Sequence, residues 1–281
     1  RHDGEAWLSA PGEGTVARPA GAADRTAAGA ALALFLAGSV HTVALARPAH
    51  LLAAAGRAPS VAARVEIHEA AVAARVPGGK EVGEEYGRFM AGLDPDALEG
   101  VSGERRAALE RGFRGAERAL AAEIARDPAS DRPRALVADL AFSRFRFDGD
   151  SAHLERGIEA ARAAVERSPP RLRYRRMLSD LLMTAGRPRE ARAALEEAGE
   201  LLGGVGELHY AVAKIHAAEG RMAPAAVGLE RADSLGYEPV RSNRPVYATV
   251  ARSLLAAGDT ARARRVLGFA GGSFDFGDGG D

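Results

Sequence analysis

Because the sequence contains no cysteine, a zinc site in this chain would need its histidines, together with carboxylates, as ligands. His209 and His216 lie seven residues apart, which places both on one face of a helix. A zinc site needs at least a third protein ligand, and no carboxylate stands at ligand spacing on that face. We therefore expect both imidazoles to pack between helices and predict no metal site.

Other motifs that carry chemistry are incomplete. His68-Glu69 lacks the second histidine of a helical zinc motif. Gly78-Gly79-Lys80 lacks the upstream glycine and the following Ser or Thr of a phosphate loop. No nucleophile elbow or paired-carboxylate motif is recognisable, so we predict that the chain is not an enzyme.

His41 lies inside an uncharged run, residues 26–46, where an ionisable group is uncommon. Ala37, His41 and Leu45 are spaced as in bacterial light-harvesting polypeptides, which they resemble, and whose histidine ligates bacteriochlorophyll. That resemblance implies a bacteriochlorophyll or haem at His41. The alternative is a histidine that bonds a lipid headgroup or a neighbouring helix. We favour this alternative and predict no cofactor, because three matches in a run rich in Ala and Leu carry little information.

The densest basic cluster surrounds Tyr174 and consists of Arg171, Arg173, Arg175 and Arg176. Guanidinium groups bind carboxylates and phosphates, so these four residues are candidate partner contacts. The alternative is a solvated face at the start of a helix.

The composition of the chain indicates which type of secondary structure carries these side chains. The chain has 281 residues with 38 basic and 38 acidic side chains, so no overall charge attracts it to nucleic acid. Alanine is abundant and aromatic residues make up 5%, which favours closely packed helices over a sheet. We predict an all-α protein.

Residues 26–46 form a 21-residue run between Arg25 and Arg47 without a charged side chain. As a helix the run would extend about 31 Å, which matches the hydrocarbon core of a bilayer. We predict an uncleaved signal anchor in a bacterial inner membrane, with the C-terminal part on the periplasmic side. Ala44-Leu45-Ala46 resembles a cleavage site, and a buried soluble helix is a further alternative.

Four segments share the order helix, glycine turn, helix. Their turn glycines are Gly149, Gly186, Gly220 and Gly258, with spacings of 37, 34 and 38 residues. Around the last three, small or leucine residues recur at −7, +5, +9 and +12 from the glycine. These packing residues are Ser179, Ala191, Leu195, Ala198, Ala213, Ala225, Leu229, Ala232, Ala251, Ala263, Leu267 and Ala270.

These three units resemble tetratricopeptide (TPR) repeats, in which small residues let the two helices of a hairpin approach closely. The resemblance implies a solenoid whose first helices line a concave surface that binds a partner protein. The Gly149 unit departs from the pattern. We expect a longer turn there and a late second helix, with Gly157 and Ala161 as its packing residues.

The predicted organisation is an irregular arm (1–25), a transmembrane helix (26–46), a helical connecting region (47–130), the repeat array (131–270) and a tail (271–281). The tail is acidic and rich in glycine, and Phe274 and Phe276 are candidate partner contacts. We predict a membrane-anchored scaffold, an accessory subunit of a respiratory or photosynthetic complex. The alternatives are an adaptor that recruits peptides or assembly clients, and a tetrapyrrole-binding subunit.

Overall fold

The computed structural model describes residues 46–74, 81–94, 98 and 100–269 of the chain. Within them the secondary structure consists of helices joined by short turns, as predicted. The helices are α1 (46–55), α2 (Val61–Ala74), α3 (Glu81–Ala91), α4 (Gly103–Arg126), α5 (Arg132–Asp148), α6 (Ser151–Arg167), α7 (Leu172–Thr184), α8 (Pro188–Leu202), α9 (Gly206–Ala218), α10 (Met222–Ser234), α11 (Arg244–Ala256) and α12 (Thr260–Phe269), with a 3-10 turn at Arg241–Asn243.

The last eight helices form four hairpins. Within them α5 packs on α6, α7 on α8, α9 on α10 and α11 on α12. Each second helix also packs on the next first helix, and the first helices α5 and α7, like α9 and α11, contact each other. A hairpin cannot bury its apolar face alone, so stacked hairpins share theirs, in one cluster from α5 to α9 and another from α9 to α12. The predicted array of TPR-like hairpins is confirmed as an architecture.

The four turn glycines have φ angles of 71–82°, in the left-handed region. A side chain is strained there, so glycine ends the first helix of each hairpin. The second helix then begins two residues later in all four hairpins. The expectation of a longer turn after Gly149 is therefore wrong. Asp150 accepts a 2.9 Å hydrogen bond from the amide of Ala152, and this cap begins α6 at once.

The described packing residues of the last three hairpins, all but Ala270, are buried between helices. Ala191, Ala225 and Ala263 are fully buried, and the leucines four residues later are at most 5% exposed. In the first hairpin the same phase is held by Leu154, Ile158 and Ala161. The sequence pattern does not show this shared phase, because the residue five positions after Gly149 is Leu154 and not an alanine.

Helices α2, α3 and α4 form a block at the N-terminal end of the array. Helix α3 packs on both α4 and α5, so the block and the first hairpin share a core. That core contains Val65, Tyr86, Phe113, Leu120 and Leu140. Helix α4, the longest helix among the described residues, lies in the region predicted to be helical, residues 47–130.

Several predicted features lie outside the described residues. They are positions 26–45 of the predicted span with His41, together with Ala270 and the tail with Phe274 and Phe276. Of the span, Ala46 alone is described, in α1. Nowhere in the described ranges is there a helix with the length and apolar character needed to cross a membrane.

Candidate peptide-binding groove

Three adjoining hollows run along the first helices of the array. The one nearest the N-terminal block has a volume of about 600 Å³, and the other two are about 320 Å³ each. The first and second hollows share Asp139, Phe142 and Arg173 in their walls. The second and third share Arg176 and Asp180. Because the walls are shared, the hollows form one continuous groove across α5, α7 and α9.

The same three positions of each first helix face this groove. They precede the turn glycine by 13, 10 and 6 residues, a spacing that keeps them on one helical face. In α5, α7 and α9 these positions hold Leu136, Asp139, Ser143, Arg173, Arg176, Asp180, Glu207, Tyr210 and Lys214. The repeat phase determines these positions. Of the nine residues, only Arg173 and Arg176 were predicted from the sequence as contacts.

Ion pairs cross the groove from one hairpin to the next. Arg173 lies 3.4 Å from Asp139, Lys214 lies 3.3 Å from Asp180, and Arg176 contacts Glu207. Such solvent-exposed pairs contribute only about 0–1 kcal/mol each. A charged group of a partner can therefore replace either member at little cost.

The groove end next to the N-terminal block is rich in arginine. We call it the arginine pocket, and it is lined by Arg88, Arg132, Arg171 and Arg173 around an apolar floor of Ala135, Leu136, Phe142 and Leu172. Among its described lining residues Asp139 alone is acidic. Burial raises the pKa of the Asp139 carboxyl, and the Arg173 guanidinium opposes this shift.

The opposite end of the groove is aromatic. The Tyr210 ring stacks on Tyr237 with centroids 4.9 Å apart and on Tyr247 at 6.0 Å. The Asn243 amide donates a hydrogen bond to the Tyr237 hydroxyl. Burial raises the pKa of Tyr210 to about 12, so its hydroxyl is protonated at neutral pH. This end therefore presents the partly exposed Tyr237 and the Asn243 amide beside Glu207 and Lys214.

The four arginines of the predicted contact cluster separate in the structure. Arg171, Arg173 and Arg176 line the groove. Arg175 does not, and its prediction as a partner contact is wrong. Its side chain is 2% exposed and donates to the carbonyls of Pro169 at 3.0 Å and Ala194 at 3.3 Å. It also donates to Glu197 at 3.2 Å, so it supports the hairpin.

His209 and His216 both lie on α9, where each is at least partly buried. His216 is 9% exposed, and its Nδ1 lies 3.8 Å from Glu219 Oε2. His209 is half-buried. Burial lowers the pKa of both imidazoles, which are therefore neutral at pH 7. In the described part of the chain, no three His, Asp or Glu side chains converge to hold a metal ion.

Neither a protein-family model nor a curated protein matches the chain. Among solved structures, the chain is similar to MamA with 15% identity, a TM-score of 0.44, and coverage of 60% of this chain and 93% of MamA. For TTC0263 of Thermus thermophilus, a TPR protein, the values are 18%, 0.45, 76% and 98%. For PilF of Pseudomonas aeruginosa they are 17%, 0.47, 70% and 80%. Similarity at this level says nothing about a partner, and the fold assignment rests on this chain's own helices.

Proposed function

We propose that this chain is a non-enzymatic scaffold that binds an extended segment of another protein in the groove across α5, α7 and α9. The observation that carries the proposal is the continuity of this groove. Three successive first helices present the same three positions to it, and their hollows share walls. An extended segment that follows the groove meets an equivalent set of side chains at each hairpin.

The chemistry of the groove supports a peptide as its ligand. The floor supplies apolar contacts at Phe142, Met177 and Leu181. The walls supply charges of both signs in weak pairs, which a peptide can exchange for its own. The aromatic end adds the partly exposed ring of Tyr237, which the buried Tyr210 supports by stacking. Affinity from such a surface depends on a few buried anchors, with the ion pairs selecting orientation.

Site-specific photo-crosslinking in cells tests this proposal. A photoreactive amino acid at Phe142 or Val246 lies in the groove. The matched control is Val227 on α10, which is 55% exposed and does not line the groove. We expect adducts with a distinct protein at the two groove positions and not at Val227, identified by mass spectrometry. Equal labelling at all three positions would exclude the groove as the binding surface.

We further propose that residues 26–46 anchor this scaffold in a bacterial inner membrane, with the hairpins on the periplasmic side. The length and uncharged character of this run support the proposal. Extraction of membranes at high pH tests anchorage, because an anchored chain stays in the membrane fraction. Protease added to intact spheroplasts tests orientation, because periplasmic hairpins should be digested. Release into the soluble fraction argues against the anchor.

As an anchored scaffold the chain would be an accessory subunit of a larger membrane complex. Native electrophoresis after digitonin solubilisation tests this role, because a subunit migrates with its partners in fixed stoichiometry. A free monomer argues against it. An adaptor for peptides or assembly clients would instead give substoichiometric, exchanging adducts. The third role, tetrapyrrole binding through His41, requires a visible absorption band that is lost in His41→Leu.

A further inference from the structure

We propose that the arginine pocket binds the acidic, phenylalanine-containing segment 271–281 of a second copy of this chain. This inference rests on the proposed peptide-binding role of the groove and names one ligand for one end of it. It predicts self-association of the chain through a head-to-tail contact.

The arginine pocket is built to accept additional carboxylates. Its four guanidinium side chains are 51–77% exposed, so they face solvent across the apolar floor. Each already has a carboxylate neighbour, and the four neighbours are Glu85, Glu84, Asp131 and Asp139. Glu84 and Asp131 are only 11% and 13% exposed, whereas Arg132 and Arg171 beside them are 60% and 54% exposed. A guanidinium has five N–H donors, so each retains donors for a second carboxylate.

The segment 271–281 complements this pocket in both charge and shape. It reads GGSFDFGDGGD, with three aspartates and no basic residue. Phe274 and Phe276 are two residues apart, so in an extended chain both rings point to the same side, about 7 Å apart. The two rings can then cover the floor formed by Leu136, Phe142 and Leu172, while Asp275 between them points toward the guanidinium rim.

The distance along the array favours the segment of a second copy. Helix α12 packs on α11 and α10, at the opposite end from the pocket. From α12 to α5 the series of packed helices passes through α11, α9, α8 and α7. The five residues after Phe269 extend at most about 18 Å, about the width of two packed helices, so we assign the occupant to a second copy.

A contact between unlike surfaces of two identical chains is heterologous. Such contacts produce rings when the rotation closes and open filaments when it does not. Anchorage in a membrane plane would restrict the copies to two dimensions and raise their effective concentration.

Titration of a fluorescent peptide of residues 270–281 with the dilute full-length chain in mild detergent tests the pocket by anisotropy. We expect saturable binding that is about tenfold weaker with Arg88→Ala/Arg173→Ala. The carboxylate neighbours of both arginines are at least 34% exposed, so this variant should fold, which circular dichroism verifies. The matched control is Arg167→Ala/Arg189→Ala, two exposed arginines on second helices. A peptide with serine at positions 274 and 276 should also bind about tenfold more weakly, because it loses both apolar anchors.

Sedimentation velocity of the full-length chain tests the assembly. We expect concentration-dependent self-association that is lost in Phe274→Ser/Phe276→Ser and in Arg88→Ala/Arg173→Ala but retained in the control. A chain that stays monomeric while its tail variant binds free peptide more tightly would show binding within one copy and overturn the proposal. Absence of peptide binding, or equal loss in the control, overturns it too. In either case photo-crosslinking of other proteins in the groove still decides the proposed function separately.

Discussion

At the scale of single residues, the helical phase separates side chains that adjoin in sequence. Arg175 stands eleven residues before its turn glycine, and Ala138 and His209 hold this position in the first and third hairpins. A residue at this position faces the second helix of its own hairpin. It lies opposite the residue that follows the turn glycine by eight positions. That residue is Gly157 or Gly228 in the first and third hairpins and Ala194 in the second. Arg175 therefore fills the space between the two helices of its hairpin. In the first and third hairpins a closer approach of the two backbones fills the same space.

Replacement of Arg175 by alanine should destabilise the chain by about 2–4 kcal/mol, because it removes the hydrogen bonds to the Pro169 and Ala194 carbonyls and opens a cavity. The control Arg176→Ala removes an exposed ion pair with Glu207 and should cost less than about 1 kcal/mol. The midpoints of urea unfolding measure both changes. Equal shifts for the two variants would contradict a supporting role for Arg175.

His68 makes the stability of the N-terminal block depend on pH. Its ring lies between Tyr86 and Phe89, with centroids 5.1 and 4.9 Å away, and its Nδ1 has no hydrogen-bond partner. Burial lowers the pKa of this imidazole, while Glu85 and Arg64, the charged groups that act on it, oppose each other.

In the unfolded chain His68 takes up a proton below about pH 6.5. In the folded chain its pKa is lower, so protonation favours the unfolded state. The free energy of unfolding should therefore fall as the pH drops from about 7.5 to about 5.5. His68→Phe keeps the stacked rings and should reduce this fall, measured by urea midpoints at both pH values. Burial also lowers the pKa of His209 and His216. Part of the pH dependence should therefore remain in His68→Phe. A dependence unchanged in His68→Phe would rule out this origin.

At the scale of elements, glycine within a helix controls how closely the two helices of a hairpin approach. A Cβ on Gly228 would lie 2.9 Å from the Ala213 Cβ and 3.1 Å from the His209 carbonyl oxygen. A Cβ on Gly199, in α8, would meet nothing within 4 Å. Glycine at 228 is thus required by contact between α9 and α10, whereas glycine at 199 only weakens its helix.

Gly228→Ala and Gly199→Ala should change stability in opposite directions. Both substitutions gain about 0.5–1 kcal/mol of helix propensity. At Gly228 the clash with the α9 backbone outweighs this gain, so we expect a net loss of about 1–3 kcal/mol. At Gly199 no clash opposes it, and the variant should be more stable than the parent. Thermal unfolding of the two variants compares the signs directly, and a stabilised Gly228→Ala would refute the close approach.

At the scale of the whole molecule, stability should be local because each hairpin contacts only its neighbours. Helix α12 packs on α11 and α10, and no described contact joins it to the N-terminal block. In such a linear array a defect at one end spreads through neighbouring interfaces and weakens with distance.

Leu267→Ala in α12 tests this locality. Leu267 is 5% exposed, so its truncation should cost about 2–4 kcal/mol. Hydrogen exchange should accelerate in α11 and α12, less in α10, and not in α4 or α5. Phe113→Leu in the N-terminal block, where Phe113 is fully buried, is the reverse control. Uniform acceleration along the whole chain would show a single cooperative unit.

The sequence alone determined the secondary structure class, the four turn glycines and the register of the hairpins around Gly186, Gly220 and Gly258. Those features depend on local backbone preferences and on a small residue repeated at a fixed spacing, and the amino-acid sequence shows both directly. The turn after Gly149 was mispredicted because its Asp150 cap begins α6 without the alanine at +5.

The tertiary structure alone decided which charged residues face the groove. Position in the sequence does not show which arginines between Arg171 and Arg176 are exposed. Each residue of a helix is rotated by about 100° from the last, so Arg175 points into the hairpin while the other three arginines point outward. The arginine pocket joins Arg88 of α3 with Arg132 of α5 and Arg171 and Arg173 of the α7 turn and helix. Residues so far apart in the chain meet only through the packing of α3 and α7 against α5, which no local pattern in the sequence encodes.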